Sequence, residues 1–161
     1  REVATNLGIR EILVPAAPGI VCAHGLVVSD LQEDFVVGRR LRLIDSELKV
    51  IAGVLETLEK EAAAWFNEEE VRPETRQVSI RLDMRYVGQN FELAIPLSQG
   101  NDGKHIAFEN IDPLRRAFFR IHEESYGYHN PEDPIEIINF RLTARGRVHP
   151  LVEFQGVADT K

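Results

Sequence analysis

The stretch Val78–Leu97, "VSIRLDMRYVGQNFELAIPL", decides how this chain is read. From Val78 to Tyr86 the even positions Val78, Ile80, Leu82, Met84 and Tyr86 are apolar and the odd positions are mostly polar. That period of two is the mark of a half-buried strand. Phe91, Leu93, Ile95 and Leu97 repeat the alternation after a Gly88-Gln89-Asn90 corner, so the stretch predicts a β-hairpin. Gly88 can supply a positive φ and Asn90 tolerates one, which is ordinary turn chemistry. Turn chemistry does not require Arg85, Tyr86 and Gln89. Together Arg85 and Gln89 offer several N–H donors and an amide oxygen beside an aromatic ring. Such a set suits a carboxylate or an imide, or a lock between two domains.

Upstream of the hairpin, Leu48, Ile51, Leu55, Leu58, Ala62 and Trp65 fall at alternating steps of three and four. They form one apolar stripe on a helix from about Asp45 to Asn67, with Asp45 or Ser46 available as its cap. "NEEEVRPET" ends that helix in an acidic loop, and "LQEDFVVGRR" before it reads as extended. Downstream, "SQGNDGKH" reads as a polar exit loop and Asp112-Pro113 as a helix start with Asp as the cap. Leu114, Ala117, Phe118 and Ile121 form the buried stripe of that helix, and Gly127 stops it. Ile138, Phe140, Leu142 and Ala144 then alternate as a further strand ending at Gly146. Helix, hairpin, helix and strand in this order predict an α+β fold, an antiparallel-rich sheet covered by two helices. Residues 1–30 form a separate region: a helix stopped at Gly8, a short strand over Ile9–Pro15, and a helix begun near Pro18 and closed by Ser29-Asp30. Arg1 opens the chain already inside a helix, which points to a piece of a longer protein.

At 161 residues, 43% hydrophobic and 28% charged, the chain can bury the core of one ordinary domain. A net charge of -7 gives no electrostatic reason to expect nucleic acid or an anionic membrane. The longest apolar-leaning run, Ile12–Val28, is broken by Pro15, Pro18, Gly19, His24 and Gly25 and cannot span a bilayer. Cys22 is the only cysteine, which excludes an internal disulfide or a cysteine-rich zinc site and favours a reducing cytoplasm. In the apolar company of Ile20, Val21 and Ala23 it reads as a small core residue rather than a nucleophile. The histidines form no metal-ligand spacing. His129, Glu132 and Asp133 gather in "GYHNPEDP", read as a solvated turn, and His122-Glu123-Glu124 reads as the wet face of a helix. No phosphate-cradling glycine loop and no Gly-x-Ser-x-Gly nucleophile motif is found in the chain.

Three blocks carry a family resemblance: "LGIREILVPAAPGIVCAHGLVVSD", "MRYVGQNFELAIPL" and "EESYGYHNPEDPIEIINFRLTARG". Together they resemble the C-terminal region of the hydantoinase A/5-oxoprolinase family, whose relatives include the A-type component of N-methylhydantoinase and the acetone carboxylase β subunit. The match is most specific at the Pro-x-x-Pro-Gly block and at Arg85-Tyr86-x-Gly88-Gln89. Cys22 and His24 depart from the family's usual Ser and Leu or Phe.

The resemblance implies a parent that opens a cyclic amide by activating its carbonyl oxygen with phosphate from ATP, with Mg as cofactor. It further implies that residues 1–30 are the helix–strand–helix end of an actin-like nucleotide-binding core, and residues 31–161 an α+β accessory domain. The partners it implies are the upstream ATPase core and a second, B-type subunit or fused half. It places no catalytic, cofactor-binding or metal-binding residue in this chain, which on this reading is inactive alone and holds no cofactor. The candidate contact motif is Arg85, Tyr86, Gly88 and Gln89. Two rival readings make the chain a structural module for assembling the complex, or part of an acetone-carboxylase-type enzyme that applies the same phosphorylation logic to a ketone.

Overall fold

A computed structural model describes residues 2–12, 14, 18–100 and 109–147. The chain divides into two compact units; the larger is Asp30–Arg147, and the smaller includes residues 2–29.

The smaller unit holds a short helix α1 (Glu2–Asn6), a 3-10 turn at Pro18–Ile20 and helix α2 (Val21–Val28). Gly8 takes φ +67°, the left-handed conformation that stops a helix without a Cβ clash. No strand forms among the described residues between the helices, and Ile9, Ile12 and Val14 are exposed. Among the described residues of Ile9–Pro15 the expected strand is not found, and none of them joins the four-stranded sheet. Cys22 is exposed on α2, against its reading as a core residue.

In the larger unit β1 (Leu31–Arg42) leads through a 3-10 turn at Asp45–Glu47 into helix α3 (Leu48–Glu68). The hairpin β2 (Arg76–Tyr86) and β3 (Leu93–Gly100) follows, then helix α4 (Asp112–Tyr126) and β4 (Ile135–Gly146). The four strands form one antiparallel sheet in the order β1-β4-β2-β3. Each helix thus joins two strands that a third strand separates, a pair of split βαβ units.

Both helices pack on one face of this sheet, α3 against β4 and β1 and α4 against β3. Ile51, Val54, Leu55, Leu58, Ala62 and Phe66 are the buried stripe of α3. Leu114, Phe118 and His122, spaced by four, are that of α4. They meet Ile80, Leu82 and Met84 of β2 and Phe140 and Leu142 of β4, all fully buried in one core. Burying each such side chain contributes about 1.5–3 kcal/mol, enough to fix the register of every strand.

Several sequence expectations shift by a residue or a face. Phe91 lies before β3 and is 77% exposed, so the second strand starts at Leu93. Ile138 does not continue the core alternation of β4. In both of its ladders β4 has a bulge there, with Asn139 opposite Asp83 and Ile137 opposite Met84. The bulge resets the alternation, so Ile137 takes the core position and Glu136 and Asn139 both project from the face away from the helices. Asp45 makes no cap on its own helix; its Oδ1 accepts from the backbone N–H of Ile111, at 3.0 Å, just before α4. Asp112 is the first helical residue rather than the cap, and its N–H donates to Asn110 Oδ1 at 3.1 Å. Gly127, at φ +81°, ends α4 as expected. Most of the exit loop "SQGNDGKH", from Asn101 on, lies outside the described residues.

Candidate functional site

The hairpin corner turns at Tyr86–Gln89, where the N–H of Gln89 donates to the carbonyl of Tyr86 at 3.1 Å. Gly88 holds the third position with φ +91°, the conformation such a turn requires. Asn90 is not in the left-handed region. The structure sends the four motif residues in two directions, because Arg85 and Tyr86 leave the strand on opposite faces.

Arg85 projects onto the face away from the helices. Its Nε donates to Glu136 Oε1 at 2.9 Å and its Nη1 to Glu92 Oε1 at 3.2 Å. Glu136 takes a second arginine through Oε2, from Arg40 Nε at 2.8 Å. Its side chain is only 1% exposed. Burial raises the Glu136 pKa, but the hydrogen bonds and charges of Arg40 and Arg85 outweigh that and hold it below the ordinary value. The bulge at Ile138 makes this triad possible by turning Glu136 onto the arginine-bearing face.

The same face carries a second polar cluster. Asp83 accepts from Arg141 Nε at 2.7 Å and from Asn139 Nδ2 at 2.9 Å. Asp34 accepts from the hydroxyl of Thr143, and chiefly through that bond its carboxyl is held below the usual range. These side chains are spent on one another: they tie β1, β4 and β2 together across the sheet.

Tyr86 projects into the core. Its ring stands edge-on to Phe118 at 5.0 Å and to His122 at 4.9 Å, and its hydroxyl accepts from the backbone N–H of Asn130 at 2.7 Å. Burial raises its pKa. The N–H of Val87 donates to the Pro134 carbonyl at 2.9 Å. The corner therefore pins the loop 127–134, and "GYHNPEDP" is folded against β2 rather than left as a free turn. His129 stacks on Phe119 at 5.0 Å and sits 3.2 Å from Glu123.

Gln89 lines a cavity of about 230 Å³ with Asn90, Phe91, His122, Tyr126 and Tyr128. His122, which its polar neighbours assign to a wet helix face, is instead 1% exposed. Spacing is the signal that could have placed it, since it follows Leu114 and Phe118 by steps of four. Its Nδ1 lies 2.6 Å from the Tyr128 carbonyl, which can only accept, so Nδ1 carries the hydrogen. The other ring nitrogen, Nε2, is buried without a partner. Among the described residues no group of three or more His, Cys, Asp or Glu is placed to hold a metal ion. Nor is any helix among them long and apolar enough to cross a membrane.

No family model matches the chain. It is 24% identical over 150 residues to the caprolactamase alpha subunit of Pseudomonas jessenii, covering 91% of this chain and 21% of that protein. An uncharacterized protein of Methanocaldococcus jannaschii is 30% identical over 146 residues, covering 90% of this chain and 19% of that protein. Two solved structures share the fold with a TM-score of 0.67 each. One is the ATP-dependent caprolactamase of Pseudomonas jessenii, at 23% identity over 92% of this chain and 21% of that one. The other is nucleotide-free acetone carboxylase, at 20% identity over 88% of this chain and 21% of that one. The chain thus spans about a fifth of the length of these relatives, and it is similar to a region of hydantoinase/oxoprolinase-type ATP-dependent proteins.

Proposed function

We propose, from this likeness to a region of hydantoinase/oxoprolinase-type ATP-dependent enzymes, that the chain is an accessory part of a larger enzyme that uses ATP to open a cyclic amide. The observation that carries the reading is the alignment of 91% of the chain with one fifth of a caprolactamase alpha subunit. The finer assignments rest on the same likeness. Residues 1–30 are the end of a nucleotide-binding core and residues 31–161 the accessory domain. The partners are that core and a second subunit or fused half; the single cysteine, Cys22, favours a reducing cytoplasm.

Among the described residues no group of three or more His, Cys, Asp or Glu is placed to hold a metal ion. Arg40, Arg85 and Arg141, cations that could otherwise meet phosphate, are held by Glu136, Glu92 and Asp83. On the family likeness, ATP, magnesium and the reacting groups are assigned to the remainder of the parent, and no catalytic step is routed through this chain. The four corner residues serve structure and contact: Arg85 locks the sheet, Tyr86 the loop 127–134, Gly88 the turn, and Gln89 faces the cavity.

A carboxylase parent is the second reading, favoured by the shared fold with acetone carboxylase. Phosphate release by the whole parent separates the two. Cyclic-amide hydrolysis predicts ATP turnover stimulated by 5-oxoproline, a hydantoin or ε-caprolactam and not by acetone with bicarbonate. The reverse pattern overturns the hydrolase reading in favour of the carboxylase, and stimulation by none overturns both.

A further inference from the structure

The sheet order leaves two edge strands among the described residues, β1 and β3. An edge carries a row of backbone N–H and C=O groups without partners, and natural edges are guarded by short length, proline, lysine or a bulge. β3 is guarded, being eight residues long and holding Pro96. β1 is twelve residues long and has neither proline nor lysine. Its register against β4 runs without a break over residues 31–38, and its irregularity lies past that stretch, between Gly38 and Leu41. Within the regular stretch Val36 is 49% exposed.

The charges along β1 select what fits against it. Its first half carries Glu33 and Asp34, and its second half Arg39, Arg40 and Arg42. A second copy of the same strand laid alongside in the antiparallel sense brings acid against base at both ends, whereas a parallel copy sets like charges together. On the sheet face away from the helices these side chains are engaged within the chain, Asp34 by Thr143 and Arg40 by Glu136. Glu33 and Arg39 are not: both are exposed, and among the described residues neither has a hydrogen bond or an ion pair. Glu33 lies opposite Ala144 of the core, and Leu41 opposite Ile137, so the alternation of β1 holds past its irregularity. Arg39, between them at an even spacing, leaves the strand on the same face as Glu33.

We propose that β1 is the docking edge for a second copy of this chain, paired antiparallel about a two-fold axis at Val36. Residues 34–38 of each copy form the ladder, all of them within the regular register. Phe35 then stands opposite Val37 of the other copy on the helix-bearing face, and Val36 meets its own counterpart on the other face. Glu33 of each copy meets Arg39 of the other, so the free acid and the free base satisfy each other twice, as a two-fold interface requires. The two four-stranded sheets become one continuous sheet. The inference goes beyond the enzymatic reading and does not depend on the parent's substrate.

The test is sedimentation equilibrium of the 161-residue chain at concentrations up to about 1 mM, with charge reversals on β1. The expected result is a monomer–dimer equilibrium. Glu33→Arg and Arg39→Glu each turn both attractive pairs into repulsive ones and should raise the dimer dissociation constant about tenfold. The double reversal restores opposite charges at both pairs and should return the constant to within about threefold of the unaltered chain. Val36→Lys sets two like charges together at the axis and should give a monomer. All of these positions are exposed, so far-ultraviolet circular dichroism should report the same fold in every variant. A monomer at every concentration overturns the proposal, as does an assembly larger than a dimer. A dimer indifferent to the single reversals, or one that the double reversal fails to restore, overturns it as well and places the interface elsewhere on the chain.

Discussion

Glu136 is the residue on which the polar face of the sheet depends most. It is a buried carboxylate shared by Arg40 and Arg85, so its ionised form is stabilised in the folded chain and its pKa lies below the ordinary value of 4.5. A group with a depressed folded pKa contributes stability above its unfolded pKa and loses it as the pH falls through the folded one. Glu136→Gln keeps the shape but removes the charge and weakens both arginine bonds. It should cost about 1–3 kcal/mol at pH 7. Urea midpoints at pH 7 and pH 3 check this: the gap between wild type and variant should shrink at the lower pH. An equal gap at both would mean that shape rather than charge is at issue. The sequence singles out Arg85 and Tyr86 as residues the turn does not explain, and both have a partner across the sheet or loop. It cannot supply the partners. Glu136 is 51 positions from Arg85 and Asn130 is 44 from Tyr86, separations that no local pattern encodes.

Among the elements, β4 is central and the most tightly constrained. Gly146 lies opposite both Leu31 and Arg76, and a Cβ built on it would lie 2.8 Å from both methyl groups of the buried Val71. Gly146→Ala should therefore cost about 1–3 kcal/mol as an overpacked contact. Gly53 is the internal comparison, since on the exposed surface of α3 a Cβ meets nothing within 4 Å. Gly53→Ala should stabilise by roughly 0.5–1 kcal/mol through helix propensity. Thermal melts of the two variants should move in opposite directions; two shifts of the same sign would contradict these packing assignments. The elements themselves are legible wherever a period runs unbroken: the stripe of α3, the alternation of β2, and the Gly127 stop of α4. They become illegible where tertiary structure breaks the period. The bulge at Ile138 exchanges Ile138 for Ile137 in the core, and no sequence signal marks a bulge made by neither Gly nor Pro. His122 misleads for a different reason. Its polarity points to solvent, although its spacing continues the apolar stripe and the Tyr128 carbonyl satisfies its N–H.

At the scale of the whole molecule, the larger unit is a self-consistent α+β domain in which Arg40, Arg85, Arg141, Asp83 and Glu136 bond to one another. Among the described residues the cavity at the hairpin corner is lined by His122, whose Nε2 is buried without a partner. The division of labour between this chain and the rest of its parent is tested most directly by magnesium-ATP binding, measured calorimetrically on the 161-residue chain and on the full parent in parallel. The account predicts stoichiometric binding by the parent and no detectable heat from the chain alone. Stoichiometric binding of ATP by the isolated chain, or none by the parent, would contradict it.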